Sequence, residues 1–170
     1  MSNITFTKDM ENNALVVEQV INAPREKVWQ AWTTPELYVK WWGPRGWEAT
    51  AKHMDFRPGG YLLYGMKCVD KDQGEFYGQE VWGKSVYKAI DEPNEFTYED
   101  YFVDAESNVN QDMPATTITV KFIDEGDGKT RIINRSVLES PEALKQLVEV
   151  GFEQGFRETL ERLAEQLEQS

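Results

Sequence analysis

The chain has 170 residues, 40% hydrophobic and 28% charged, which fits one domain with an ordinary core and excludes a disordered chain. A formal net charge of -12 repels phosphate backbones and anionic membranes, and no Lys/Arg cluster offsets it, so nucleic-acid and membrane-surface binding are not expected. Cys68 stands alone and allows no intramolecular disulfide, Met1 to Phe6 lack the regions of a signal peptide, and no apolar run approaches the ~20 residues of a membrane span, so the expected location is cytoplasmic.

Residues 15–21 are rich in β-branched side chains and predict the first strand. Ala23-Pro24 then opens a helix, with Pro24 at the first helical position, where its missing N–H costs nothing. Val28, Trp29 and Trp32 form the apolar side of that helix, which stops near Thr33-Thr34; Trp29 and Trp32 are assigned to structural packing. A second short helix starts with Thr34 as N-cap and Glu36 in its first turn, carries Leu37, Tyr38, Trp41 and Trp42, and ends at Gly43-Pro44.

Strands follow at 47–56, 61–69, 76–90, 95–103, 116–123 and 130–138. Arg57-Pro58-Gly59-Gly60, Asp70 to Gly74, Asp91-Glu92-Pro93-Asn94 and Gly126-Asp127-Gly128 punctuate them as turns. Alternation puts Leu62, Tyr64, Met66 and Cys68 on one face, and likewise Phe96, Tyr98, Asp100 and Phe102, and Ile118, Val120 and Phe122. A bulge at Gly83 is expected, and with it the facing of 79–90 stays open. Residues 104–115 are polar, end in Met113-Pro114, and predict a rim or lid loop.

Ser140-Pro141-Glu142 starts a long helix that runs to about Glu168. Its apolar stripe includes Leu144, Leu147, Phe152, Phe156, Leu160, Leu163 and Leu167, with Gly151 and Gly155 inside it. Each glycine costs roughly 1 kcal/mol of helix propensity. Two explanations stand: close helix-on-sheet packing, or room left for a ligand.

The order is strand, two helices, a run of strands, long helix. A sheet of six to seven antiparallel strands cannot stay flat, and curling it around one amphipathic helix buries both apolar faces. The predicted class is α+β with a helix-grip arrangement, a single domain over residues 1–170.

Four stretches carry a family resemblance. They are Ile21-Asn22-Ala23-Pro24 running into Val28 to Trp32; Thr34 to Leu37 running into Trp41-Trp42-Gly43-Pro44; Asp55-Phe56-Arg57-Pro58-Gly59-Gly60; and Gly151 to Phe156 running into Leu160 to Ala164. Together they resemble the START-like superfamily of polyketide cyclases and lipid-transport proteins (SRPBCC), in the branch named after the activator of the 90 kDa heat-shock-protein ATPase. The resemblance implies a helix-grip fold with an interior cavity. It does not imply one activity, because the superfamily holds carriers, receptors, cyclases and chaperone activators. The eukaryotic chaperone activators also carry a separate N-terminal domain, for which little chain is available ahead of residue 15.

Chemistry must come from the site. His53 is the single histidine, and pairing it with Ser85 or Cys68 as a nucleophile would need the fold to bring them together. One His and one Cys do not make a metal site, and no glycine-rich phosphate loop appears, so neither metal nor cofactor is expected. Asp100 lies among aromatics by alternation, where a carboxylate acquires a raised pKa; the alternative is a solvent-facing or sheet-edge acid. Glu80, Asn134 and Arg135 are further strand polar groups able to point inward, and a bound ligand could satisfy one that does. The candidate ligand-binding set is Trp42, Tyr64, Met66, Trp82, Tyr98, Asp100, Phe102, Phe122, Phe152 and Phe156, weighed against simple core filling.

Three readings follow. The first is a module holding a small apolar or aromatic molecule. The second is a partner that stimulates a heat-shock chaperone ATPase. The third is a cyclase- or hydrolase-type enzyme using Asp100, Glu99 or His53. The outward glutamates Glu158, Glu161, Glu165 and Glu168 are either a partner surface or a solvated face, and the sequence does not decide between a monomer and a homodimer.

Overall fold

The computed structural model describes residues 3–113 and 115–169, so Pro114, expected to close the 104–115 loop, lies outside the described residues. A strand precedes the one expected first: β1 (Ile4–Asp9) pairs antiparallel with β2 (Ala14–Ile21). Ile4 and Phe6 pack against the core while Thr5 and Thr7 are exposed, the alternation of a half-buried edge strand.

Pro24 is the N-cap, with extended backbone, and α1 (Arg25–Thr33) begins one residue after it. Its buried face is Val28, Trp29, Ala31 and Trp32. The next helix, α2 (Pro35–Tyr38), has Pro35 in its first turn, but the Thr34 side chain makes no capping bond. It ends before Trp41 and Trp42, which lie in the turns that follow, held by bonds from their N–H groups to the Tyr38 carbonyl at 3.3 and 3.1 Å.

The remaining strands are β3 (Trp47–Met54), β4 (Tyr61–Cys68), β5 (Glu80–Asp91), β6 (Glu95–Val103), β7 (Thr116–Gly126) and β8 (Lys129–Leu138). A 3-10 segment, Lys71–Phe76, replaces the simple turn expected between β4 and β5. All eight strands form one antiparallel sheet in the order β1-β2-β8-β7-β6-β5-β4-β3, one strand more than the upper expectation. The expected bulge at Gly83 is absent. Gly83 pairs regularly with Tyr64 and Phe102, and the β5–β6 register shifts between Tyr87 and Ala89 instead. Residues 81–87 therefore alternate simply, and Gly83, Ser85 and Tyr87 face inward.

The expected single C-terminal helix is two. The Ser140 hydroxyl caps α3 (Pro141–Glu149) by accepting from Ala143 N at 3.0 Å. Gly151 then takes φ +83 and starts α4 (Phe152–Glu168) in a new direction. A Cβ at Gly151 would meet nothing within 4 Å, so backbone conformation and not close packing calls for glycine there.

The apolar faces meet in one core. At one end of the sheet Trp29, Trp32 and Trp41 interlock with Phe96, Phe122 and Phe56, with ring centroids 4.8–6.3 Å apart. Side chains of this size stabilise by roughly 1.5–3 kcal/mol each when buried, so this cluster anchors α1 to the sheet. The C-terminal half of α4 seals the sheet with Leu160, Leu163 and Leu167, all buried.

Candidate functional site

The N-terminal half of α4 does not seal the sheet. Between it and the inner face of β4–β8 lies a hollow of about 260 Å³. Gly155 is the reason on the helix side: a Cβ there would meet nothing within 4 Å, so the missing side chain leaves space, and the close-packing explanation for this glycine does not hold. Phe152 and Phe156, stacked at 5.1 Å, border it from α4, Leu147 from α3, and Trp42 and Pro44 from the turns after α2. From the sheet come Tyr64, Met66, Tyr98, Phe102 and Ile118.

Asp100 sits in this apolar wall. The register places Ser85, Asp100 and Thr116 side by side across β5, β6 and β7. The Ser85 hydroxyl donates to Asp100 Oδ1 at 3.1 Å, and the Tyr64 hydroxyl lies 3.1 Å from both carboxylate oxygens. Asp100 is partly buried, and its open fraction borders the hollow. Burial raises its pKa to about 7, against the two hydroxyl bonds, which favour the ionised form. Burial, with Asp100 nearby, holds the Tyr64 and Tyr98 hydroxyls far above the usual tyrosine range, so both stay protonated. Asn134 and Thr116 also border the hollow, and Ser136 Oγ donates to Asn134 Oδ1 at 3.3 Å.

Tyr64 reaches Asp100 because of a glycine. A Cβ on Gly83, its cross-strand partner, would stand 2.3 Å from the Tyr64 Cζ and Oη. The ring lies flat across β5, and any other residue at 83 would displace it.

Of the ten candidate residues, eight bring their side chains toward this space by position: Trp42, Tyr64, Met66, Tyr98, Asp100, Phe102, Phe152 and Phe156. Two do not. Phe122 is on the expected face but is 1% exposed and packed 5.1 Å from Trp29, under α1. Trp82 borders the hollow, but its ring lies over Gly65 on the outer face, where a Cβ would meet it at 2.8 Å, with the Lys52 ammonium 5.8 Å from the ring centroid. Sequence reasoning missed Ser85, Thr116, Ile118, Leu147 and Thr159 as wall residues.

The other chemical candidates lie elsewhere. Glu99 is on the outer face, bonded by the Tyr101 hydroxyl and 3.6 Å from Lys88. His53 is exposed and stacks on Tyr61 at 4.2 Å, while Cys68 is buried with its thiol toward the Asp70 carbonyl. Neither His–Ser nor His–Cys pairing forms. Glu80 is exposed, and Arg135 pairs with Asp9 on the outer face. The outward glutamates of α4 are engaged: Arg45 binds Glu165 at 2.6 Å, and Asn22 N donates to Glu168. No described residue of 104–113 borders the hollow, so that loop is not its lid. Among the described residues no cluster of His, Cys, Asp or Glu could hold a metal ion, and no helix is long and apolar enough to cross a membrane.

Residues 22–168 match the family model described as Activator of Hsp90 ATPase homolog 1-like protein. No curated protein matches the chain. Among solved structures, a Mycobacterium smegmatis protein is similar at 31% identity and TM-score 0.84, covering 96% of each chain. A protein from Arthrobacter aurescens is similar at 28% identity and TM-score 0.87, over 98% of this chain and 92% of that one. One from Staphylococcus epidermidis is similar at 27% and TM-score 0.79, over 97% and 94%.

Proposed function

This chain belongs to the Activator of Hsp90 ATPase homolog 1-like family, and within that family we propose that it binds a small molecule, apolar or aromatic over most of its surface, in the hollow between α4 and the sheet. The observation that carries this reading is the wall of aromatic rings around a space of about 260 Å³, kept open by Gly155. That volume is close to the lower end, roughly 300 Å³, of small-molecule pockets, which are mostly apolar with a few polar groups to orient the ligand. Here those groups are Asp100, Asn134 and the Tyr98 hydroxyl. A well-packed interior leaves few voids larger than a water molecule, so core filling alone does not account for a space of this size.

Native mass spectrometry of the protein from its own cells tests the reading, with Gly155→Phe as the comparison. The variant fills the space, adds no clash at its Cβ, and improves local helix propensity. The expected result is an added mass on the wild-type protein that denaturation releases and that the folded variant lacks. A bare wild-type mass, or an adduct that the variant retains, overturns it.

A further inference from the structure

The walls of the hollow hold one acid and no base. Asp100 is the carboxylate, and among the described residues that border the space there is no Lys, Arg or His. The titratable side chains that face Asp100 are the tyrosines Tyr38, Tyr64, Tyr87 and Tyr98, while β5 presents Ser85, β7 Thr116, β8 Asn134, α3 Leu147 and α4 Thr159, all uncharged. Basic side chains carried by β5 and α4 are committed elsewhere. Lys84 lies over the Tyr61 ring at 4.5 Å, and Lys88 is beside Glu99 at 3.6 Å, both on the outer face. Arg162 is held by the Gly43 carbonyl at 2.7 Å. A buried charge is ordinarily paired with another. The two hydroxyls that point at Asp100 donate to it, an arrangement suited to its ionised form, yet the opposite charge is missing.

We propose that a ligand supplies that charge: the hollow takes a protonated amine, its ammonium against Asp100 and its apolar or aromatic body among Trp42, Tyr98, Phe102 and Phe156. The inference rests on the reading of the hollow as a binding site and adds the chemical class. The aromatic side chains that border the space favour a cation further, because the face of an aromatic ring is negative. The raised pKa of Asp100 fits an acid awaiting its counter-charge, and amine binding would draw the carboxyl back to its ionised form.

Four probes sharing one ring system decide the matter by calorimetry: indole, tryptophol, tryptamine and indoleacetate. Tryptamine is expected to bind wild type at least about tenfold more tightly than tryptophol near neutral pH. Asp100→Asn is expected to abolish that preference, weakening tryptamine at least about tenfold more than it changes tryptophol. With wild type, tryptamine affinity rises between about pH 6 and about pH 8 as Asp100 ionises, and tryptophol affinity does not. That pH series decides alone if the variant fails to melt cooperatively. Indole or tryptophol binding as tightly as tryptamine overturns the amine and leaves the hollow a binding site, as does tightest binding by indoleacetate. No binding by any of the four overturns both readings.

Discussion

Asp100 ties the stability of the protein to pH. Its pKa rises from 3.8 to about 7 on folding because burial penalises the charged form more than Ser85 and Tyr64 favour it. The folded state therefore holds a proton that the unfolded chain releases between about pH 4 and about pH 7. Stability from this group is complete below the lower value and is lost as pH rises toward the upper one, at up to about 1.4 kcal/mol per pH unit. Asp100→Asn cannot ionise, so it should flatten the stability profile over that window and exceed wild type above it; urea titrations at stepped pH measure both, and parallel profiles would refute the assignment. At Gly83 the crowding argument is steric. Gly83→Ala should cost about 1–3 kcal/mol by driving a methyl group into the Tyr64 ring. In a double-mutant cycle Tyr64→Ala should relieve most of that cost, and strict additivity would show that the clash lies elsewhere. How much of this site was legible follows the same residues. Alternation alone groups Tyr98, Asp100 and Phe102, and Tyr64 with Met66. It does not tell that Ser85 and Thr116 flank Asp100, because cross-strand register is absent from any one strand's pattern. Aromatic character groups Trp82 with these residues, while its register sends the ring outward. Phe122 points inward, but into the part of the sheet that α1 covers.

At the scale of elements, turn chemistry carried most of the information: Arg57 to Gly60, Asp91 to Asn94 and Gly126 to Gly128 separate strands where expected. The first strand is not legible in the sequence because its inward side chains, Ile4 and Phe6, are only two, set among polar residues at a sheet edge. The break between α3 and α4 is hidden for the opposite reason, since the apolar stripe continues across it and only the glycine marks it. That break has a measurable cost when removed. Gly151 adopts φ +83, which an L-residue occupies at about 1–2 kcal/mol. Gly151→Ala should lower stability by about 1 kcal/mol, whereas Gly155→Ala, in regular helix with open space at its Cβ, should raise it by about as much. Thermal melts of the two variants should shift in opposite directions; shifts of the same sign would mean that the chain runs straight through 149–152.

Across the whole molecule, α4 is joined to the segment that carries Trp42 and Pro44 by residues about 120 positions apart in sequence. Arg162 reaches out from α4 to the carbonyls of Lys40, Trp42, Gly43 and Trp47, at 2.7–3.3 Å. It thereby satisfies acceptors of the irregular segment between α2 and β3 and of the first residue of β3, and it holds one wall of the hollow against another. Arg45 joins the same two regions from the other side through Glu165 at 2.6 Å, but in the open: half of each side chain is exposed. The two arginines should therefore differ. Exposed pairs contribute below about 1 kcal/mol and weaken with salt. Charge-assisted bonds to partly buried carbonyls contribute more, and removing the donor leaves acceptors unpaired, so Arg162→Met should cost about 2–3 kcal/mol with little salt dependence. Arg162→Lys should recover only part of it, because an ammonium cannot reach carbonyls spread along the segment as a planar guanidinium does. Denaturant midpoints for Arg162→Met, Arg162→Lys and Arg45→Ala at low and high salt make the comparison. Equal losses for the two arginines would mean that α4 is held by its leucines alone, and that the wall bearing Trp42 owes its position to the Trp32, Tyr38 and Tyr64 rings it packs against.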